Sequence, residues 1–276
     1  MLETTFELHS SGRVRVARLG SGPALVLLHG YPDTLQIWSK LAPYLAKSFQ
    51  VVAFDWPGLG YSDAWSGGAT PFHMADRLLR LLETWSIRKP VVVGLDMGGQ
   101  PALAFAARYP ERVRSLVVMN SLVQWDEVTS CEIALLRKFG WNRFALRHLP
   151  RAVFYRAIHT FLPSGETLDE ALHLDMWQSF KKRRVRDFIV RMCAGYQGTL
   201  PHLAKEFGSI HTPTLLLWAE HDKHFPAAHA KRLHAVLEDS QLNIIPGAEH
   251  WMPLSMPDIV ASRILEFTSS TPAEPR

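Results

Sequence analysis

Six short apolar runs constrain what this chain can fold into. "ALVLLHG" (24–30), "QVVAFD" (50–55), "PVVVGLD" (90–96), "SLVVMN" (115–120), "PTLLLWAEHD" (213–222) and "LNIIPG" (242–247) each end in turn-forming or polar residues. A strand wetted on one side alternates apolar with polar side chains. These runs do not alternate, so each must be covered on both faces, as in a parallel sheet between helices. Helical patterns lie between them: in "PFHMADRLLRLLETWS", Met74, Leu78, Leu81, Leu82 and Trp85 form one stripe. Ahead of them, "TFELHS" and "RVRVARLG" alternate on either side of Ser11-Gly12 and predict a hairpin. The fold class is therefore α/β, a mostly parallel eight-stranded sheet flanked by helices.

The rhythm breaks between residues 124 and 207, where "EIALLRKF", "AVFYRAIHTF" and "VRDFIVRMC" carry helical spacing and no strand is evident. This predicts a core of residues 1–123 and 208–270 with a helical cap, 124–207, seated on the C-terminal ends of the strands, where open α/β sheets place their sites. Residues 271–276 are expected to be a disordered tail.

Composition narrows the function classes. The 276 residues carry a net charge of +4. The one clear basic run, "KKRRVR" (181–186), lacks interleaved aromatic residues and reads as a solvated helix face, so no nucleic-acid partner is expected. Cys131 and Cys193 are the only cysteines, too few for a disulfide framework or a structural zinc site. No apolar run is long enough to span a bilayer, and "MLETTFELHSSG" has no signal-peptide pattern, so a cytoplasmic protein is expected. Neither a metal nor an organic cofactor is implied. The expected partner is a small-molecule substrate, and oligomeric state is left open.

"GLDMGG" holds the residue of most chemical interest. Gly94, Gly98 and Gly99 bracket Asp96 where a buried strand must turn sharply into a helix, and such a turn presents its central side chain at the sheet's edge. The helix N-terminus favours an anion there. Two later strand ends supply partners in the order that this architecture requires: Asp222 after "LLLWAEH" and His250 in "PGAEHWMP", with Glu220 a rival for the acid. "LLHGYPDT" supplies the facing loop, from which the N–H groups of Tyr31 and Met97 can converge as an oxyanion hole. His29, Pro32 and Trp38 are assigned to the substrate pocket.

Taken together, "HGYPDTLQIW", "DWPGLGYSD", "GLDMGG", the Asp222 loop and His250 resemble the α/β-hydrolase superfamily over nearly the whole chain. Aspartate at the elbow, and H-G-x-P followed by Trp38, resemble the branch containing epoxide hydrolases and haloalkane or haloacetate dehalogenases. The resemblance implies that Asp96 attacks an sp³ carbon to form an alkyl ester, which water activated by His250 and Asp222 then hydrolyses. An epoxide also needs a proton donor for its oxygen, and the cap offers Tyr155 and Tyr196. A small apolar epoxide is the expected substrate, with the cap's Trp125, Trp141 and Trp177 suggesting an apolar pocket. Dehalogenation of a haloalkane or haloacid is the alternative; Met97 stands where dehalogenases carry a halide- or carboxylate-binding residue and where epoxide hydrolases usually carry Trp. "MGGQPALAFAARYPERV" is similar instead to serine esterases, which keeps a non-hydrolytic or substrate-binding member as a third reading.

Overall fold

A computed structural model describes residues 1–270; the expected tail, 271–276, lies outside the described residues. Each apolar run is a strand. After the hairpin β1 (Thr5–His9) and β2 (Gly12–Leu19) come β3 (Ala24–Leu28), β4 (Gln50–Phe54), β5 (Val91–Leu95), β6 (Ser115–Met119), β7 (Thr214–Ala219) and β8 (Ser240–Ile245). They form one eight-stranded sheet in the order β1-β2-β4-β3-β5-β6-β7-β8. Pairing is antiparallel at β1–β2 and β2–β4 and parallel elsewhere. Every residue of β5, β6 and β7 is buried, the two-sided burial that their uninterrupted apolar sequence requires.

Helices cover both faces of this sheet. Short α1 (Ala42–Leu45) precedes β4, and α2 (Pro71–Thr84) lies beside α3 (Gly99–Arg108). Between β6 and β7 the chain is helical: α4 (Cys131–Leu136), α5 (Phe139–His148), α6 (Pro150–Phe161), α7 (Glu170–Phe180) and α8 (Arg183–Glu206). The chain closes with α9 (Ala227–His234), short α10 (Met252–Ser255) and α11 (Pro257–Ser270). Among the described residues no helix is long and apolar enough to cross a membrane.

The α4–α8 segment is fastened to the core by buried polar contacts. Arg15 of β2 pairs with Asp175 of α7 at 2.8 Å and lies 3.6 Å from Asp55 at the end of β4. The basic run at 181–186 keeps Lys181, Arg183 and Arg184 exposed, the solvated face that its charge predicts, but buries Arg186. Arg184 donates to the Ser62 and Gly60 carbonyls, buried Arg186 donates to the Phe180 carbonyl, and Lys182 sits over the Tyr61 ring. Two of its cations, Arg184 and Arg186, thus satisfy backbone carbonyls at a turn and at the end of α7.

Candidate active site

The turn after β5 is built by what glycine lacks. A Cβ on Gly94 would lie 2.4 Å from the Gly98 carbonyl oxygen, and one on Gly98 would lie 2.2 Å from that of Leu28. Only hydrogen at these positions lets β5 turn within a single 3₁₀ step, Asp96–Gly98, into α3. Asp96 takes the strain, with φ at 50°, a left-handed conformation that costs a non-glycine residue on the order of 1–3 kcal/mol. The Ser121 hydroxyl holds the Asp96 carbonyl at 2.6 Å.

The loop after β3 meets this elbow. The Tyr31 N–H donates to Asp96 Oδ2 at 2.8 Å. A Cβ on Gly30 would strike the Asp96 side chain, so the close approach depends on that glycine. The loop is held from behind: Asp55 accepts from the Leu35 and Tyr61 N–H groups, and His29 accepts from the Trp56 N–H through Nε2. That bond leaves His29 Nδ1 to donate to the Gly30 carbonyl at 2.9 Å. Burial pushes the pKa of His29 down, so it is neutral, in keeping with these two bonds.

Burial raises the Asp96 pKa to about 6, against the opposing pull of His250 and of the Tyr31 and Met97 N–H groups. The carboxyl is therefore ionised at neutral pH, but only by a modest margin. His250 lies in the turn after β8, and its Nδ1 is 2.7 Å from Asp222 Oδ2. The other oxygen of Asp222 accepts from the His224 and Phe225 N–H groups at 2.7 and 3.0 Å. Burial disfavours charge on both partners, but each stabilises the other. The Asp222 pKa is lowered, and that of His250 is raised, with help from Asp96 and Asp33. His250 Nε2 is buried and has no partner among the described residues. Phe161, the last residue of α6, packs on the His250 ring with centroids 4.3 Å apart.

The structure thus brings Asp96, Asp222, His250, Tyr31 and Met97 together. Glu220, the rival acid, is turned away and accepts from the Gly247 N–H at 2.8 Å. Tyr196 of α8 is buried, with its hydroxyl donating to Gln100 Oε1 at 3.3 Å. Tyr155 does not reach the site: it is 47% exposed, and its ring lies against His173. His29, Pro32 and Trp38 also line no cavity at the site; they are buried loop supports.

Four residues escaped the sequence reading. Asp33, two positions after Tyr31, is buried beside the site, where burial and then Asp96 push its pKa well above the carboxylate range. Gln100 bridges Tyr196 to the Leu122 carbonyl. Asn120 ties the His250 carbonyl to the Ala219 N–H, and Ser121 holds the elbow. The available signal was polar residues closing the apolar run "SLVVMNS" at a strand's C-terminal end.

A chamber of about 40 Å³ lies over Asp96, walled by Met97, Gln100, Leu122, Cys193 and Tyr196 among others. Beyond it a cavity of about 400 Å³ opens between α4, α5 and α6, lined by Leu135, Trp141, Val153 and Phe161 among others. Tyr31, Ile133 and Leu136 line both and form the neck between them. Of the three tryptophans assigned to a pocket, only Trp141 lines this cavity. Trp125 lies under Arg137, and Trp177 packs on Phe154.

Sheet order, the elbow and the chain order Asp96, Asp222, His250 define a class of protein, and comparison with known families agrees. The profile of the alpha/beta hydrolase fold family matches residues 23–257, and the chain belongs to that family, a hydrolase of the α/β fold. It is 25% identical over 272 residues to the 2-hydroxy-6-oxononadienedioate/2-hydroxy-6-oxononatrienedioate hydrolase of Comamonas testosteroni, covering 95% of this chain and 93% of that one. Its fold is shared with the epoxide hydrolase CorEH (TM-score 0.82, 21% identity, 97% and 99% of the two chains). It is shared also with a thermophilic esterase from Thermogutta terrifontis (TM-score 0.79, 23% identity, 98% and 99%). Neighbours of differing chemistry share this scaffold, so the choice among reactions rests on the side chains at the elbow.

Proposed function

We propose that the protein is an epoxide hydrolase acting through a covalent ester on Asp96. The observation that carries this reading is the state of the Asp96 carboxylate, with one oxygen held by the Tyr31 N–H at 2.8 Å beside a His–Asp pair. A carboxylate so held has its second oxygen for attack on an sp³ carbon. Once the ester forms, the held oxygen becomes the ester carbonyl, already placed where the N–H groups stabilise an oxyanion. His250 Nε2, unpartnered and backed by Asp222, is then the base for the water that cleaves it.

Chamber and cavity suggest the shape of the substrate. A space of about 40 Å³ admits little more than a methylene group, whereas the apolar cavity takes a body of many carbons. A terminal epoxide with an apolar substituent suits both. The dehalogenase alternative is less well supported. Halide is held by N–H donors, yet no tryptophan lines the chamber among the described residues, and the Arg137 guanidinium that does line it is bonded to the Glu127 and Trp125 carbonyls.

Isotope labelling tests the covalent route. In a single turnover in H₂¹⁸O, the product diol should carry no label and one Asp96 carboxyl oxygen should acquire it, because the diol's new oxygen comes from Asp96. Label in the diol on the first turnover would overturn the reading in favour of direct attack by water. The two steps should also differ in their response to pH. Ester formation needs ionised Asp96, so it should fall as pH drops through about 6. Ester hydrolysis needs neutral His250, whose pKa is raised, so its acid limb should lie at higher pH than that of ester formation. Rapid-quench measurement of both steps from pH 5 to 9 checks the order of the two limbs; the reverse order would contradict these assignments.

A further inference from the structure

We infer that the Tyr31 hydroxyl is the proton donor to the departing epoxide oxygen, so that one loop residue supplies both its backbone N–H and its side chain to the reaction. The inference rests on the epoxide reading above. It starts from an unsatisfied group: the Tyr31 hydroxyl is buried and has no hydrogen-bond partner among the described residues. A buried hydroxyl without a partner is costly, and such groups persist where something absent from the resting protein completes them. Its ring is fixed, edge-on to Phe180 of α7 with centroids 5.8 Å apart.

Position favours the same role. Tyr31 lines the chamber that contains Asp96 and also the neck to the apolar cavity. In-line attack by Asp96 on a methylene in the chamber places the breaking C–O bond on the side away from Asp96, towards that neck. The alternative donors are less free. The single proton of Tyr196 is engaged by Gln100, and Tyr155 lies outside the site. Burial holds the Tyr31 pKa well above 10, so the group carries its proton at neutral pH.

The proton balance closes without a co-reactant. A lone pair of Asp96 forms the new C–O bond, the ring C–O bond breaks, and its oxygen takes the Tyr31 proton. His250 then removes a proton from water, and the resulting hydroxide cleaves the ester at the Asp96 carboxyl carbon. The diol leaves with one of the protons delivered by water, and the other returns to the tyrosinate. The sum is epoxide plus water to diol.

The test compares Tyr31→Phe with Tyr196→Phe in a His250→Ala background, where the ester on Asp96 is stable, following its formation from a terminal aryl epoxide by rapid-quench mass spectrometry. Loss of a general acid typically costs about 10²-fold or more, so Tyr31→Phe should slow ester formation by at least that factor. Tyr196→Phe should cost less. In the His250-containing enzyme, the hydrolysis rate of the ester should change by less than about twofold in Tyr31→Phe, a split that a packing role would not give. Thermal midpoint supplies an independent readout: removing an unpartnered hydroxyl should leave it unchanged or raise it. A clear fall would show that the hydroxyl already has a partner in the protein and would overturn the inference. So would ester formation within threefold of the parent. If no ester forms in His250→Ala itself, the epoxide reading fails, and the inference fails with it.

Discussion

His250→Ala incubated with a terminal epoxide should gain the whole mass of that epoxide, at Asp96, while steady-state diol formation falls by about 10³-fold or more. The two halves of the reaction use different groups, which is why they separate. Attack needs only the Asp96 carboxylate and a proton donor, and both survive the substitution. Hydrolysis needs a base for water, and His250 Nε2 is the unpartnered nitrogen that the Asp222 contact leaves for it. One electrostatic correction applies. His250 is among the groups that hold the Asp96 pKa down, so its removal raises that pKa further, and alkylation is best measured at about pH 8. Intact-mass and peptide mapping decide the matter. An adduct that persists after Asp96→Asn would place the nucleophile elsewhere, and a haloalkane adduct lacking its halogen would favour the dehalogenase alternative. With no adduct from epoxide or haloalkane on a folded variant, the aspartate-nucleophile reading fails.

The parts of this site that the sequence made legible are those that backbone geometry dictates locally. Uninterrupted apolar runs had to be strands, and only β8, at the sheet's edge, escapes the two-sided burial expected of them, being mostly half-buried. A left-handed Asp96 between close-packed glycines left "GLDMGG" one conformation. Asp222 and His250 followed because strand ends in this architecture converge on one edge of the sheet. What stayed hidden depends on helix phase and long-range contact. Tyr155 read as a cap donor, yet Phe154, Ala157 and Phe161 mark the inward stripe of α6, and the next residue on from Phe154 is turned about 100° towards solvent. His29 and Trp38 signal the loop correctly, but their side chains support it from behind. Asp33 looks like any acid after proline in a turn; its burial beside Asp96 and His250 arises only when the two loops meet. Arg184 of the basic run finds its carbonyl partners some 120 residues away in sequence, beyond the reach of any local pattern.

Asp222→Asn should cut diol formation by about 10³–10⁴-fold, whereas Glu220→Gln should stay within about twofold of the parent. Both carboxylates follow β7 and lie two residues apart, so the comparison isolates one contact. Asp222 uses both oxygens: Oδ1 accepts from two backbone N–H groups and Oδ2 meets His250 Nδ1 at 2.7 Å. An asparagine keeps the first pair of bonds only with its carbonyl oxygen on that side, which turns its NH₂ towards His250. Nδ1 must then accept, the ring proton moves to Nε2, and the nitrogen that should take a proton from water already carries one. The ester should therefore accumulate in Asp222→Asn as it does in His250→Ala, with ester formation much less affected. Glu220 is half-exposed and contributes one bond to the Gly247 N–H at the turn before His250, so its amide can lose only some local order. Measuring both steps in both variants separates tautomer control from general loosening of the loop. Equal losses in the two variants, or a deficit in Asp222→Asn confined to ester formation, would mean that Asp222 does not set the proton on His250.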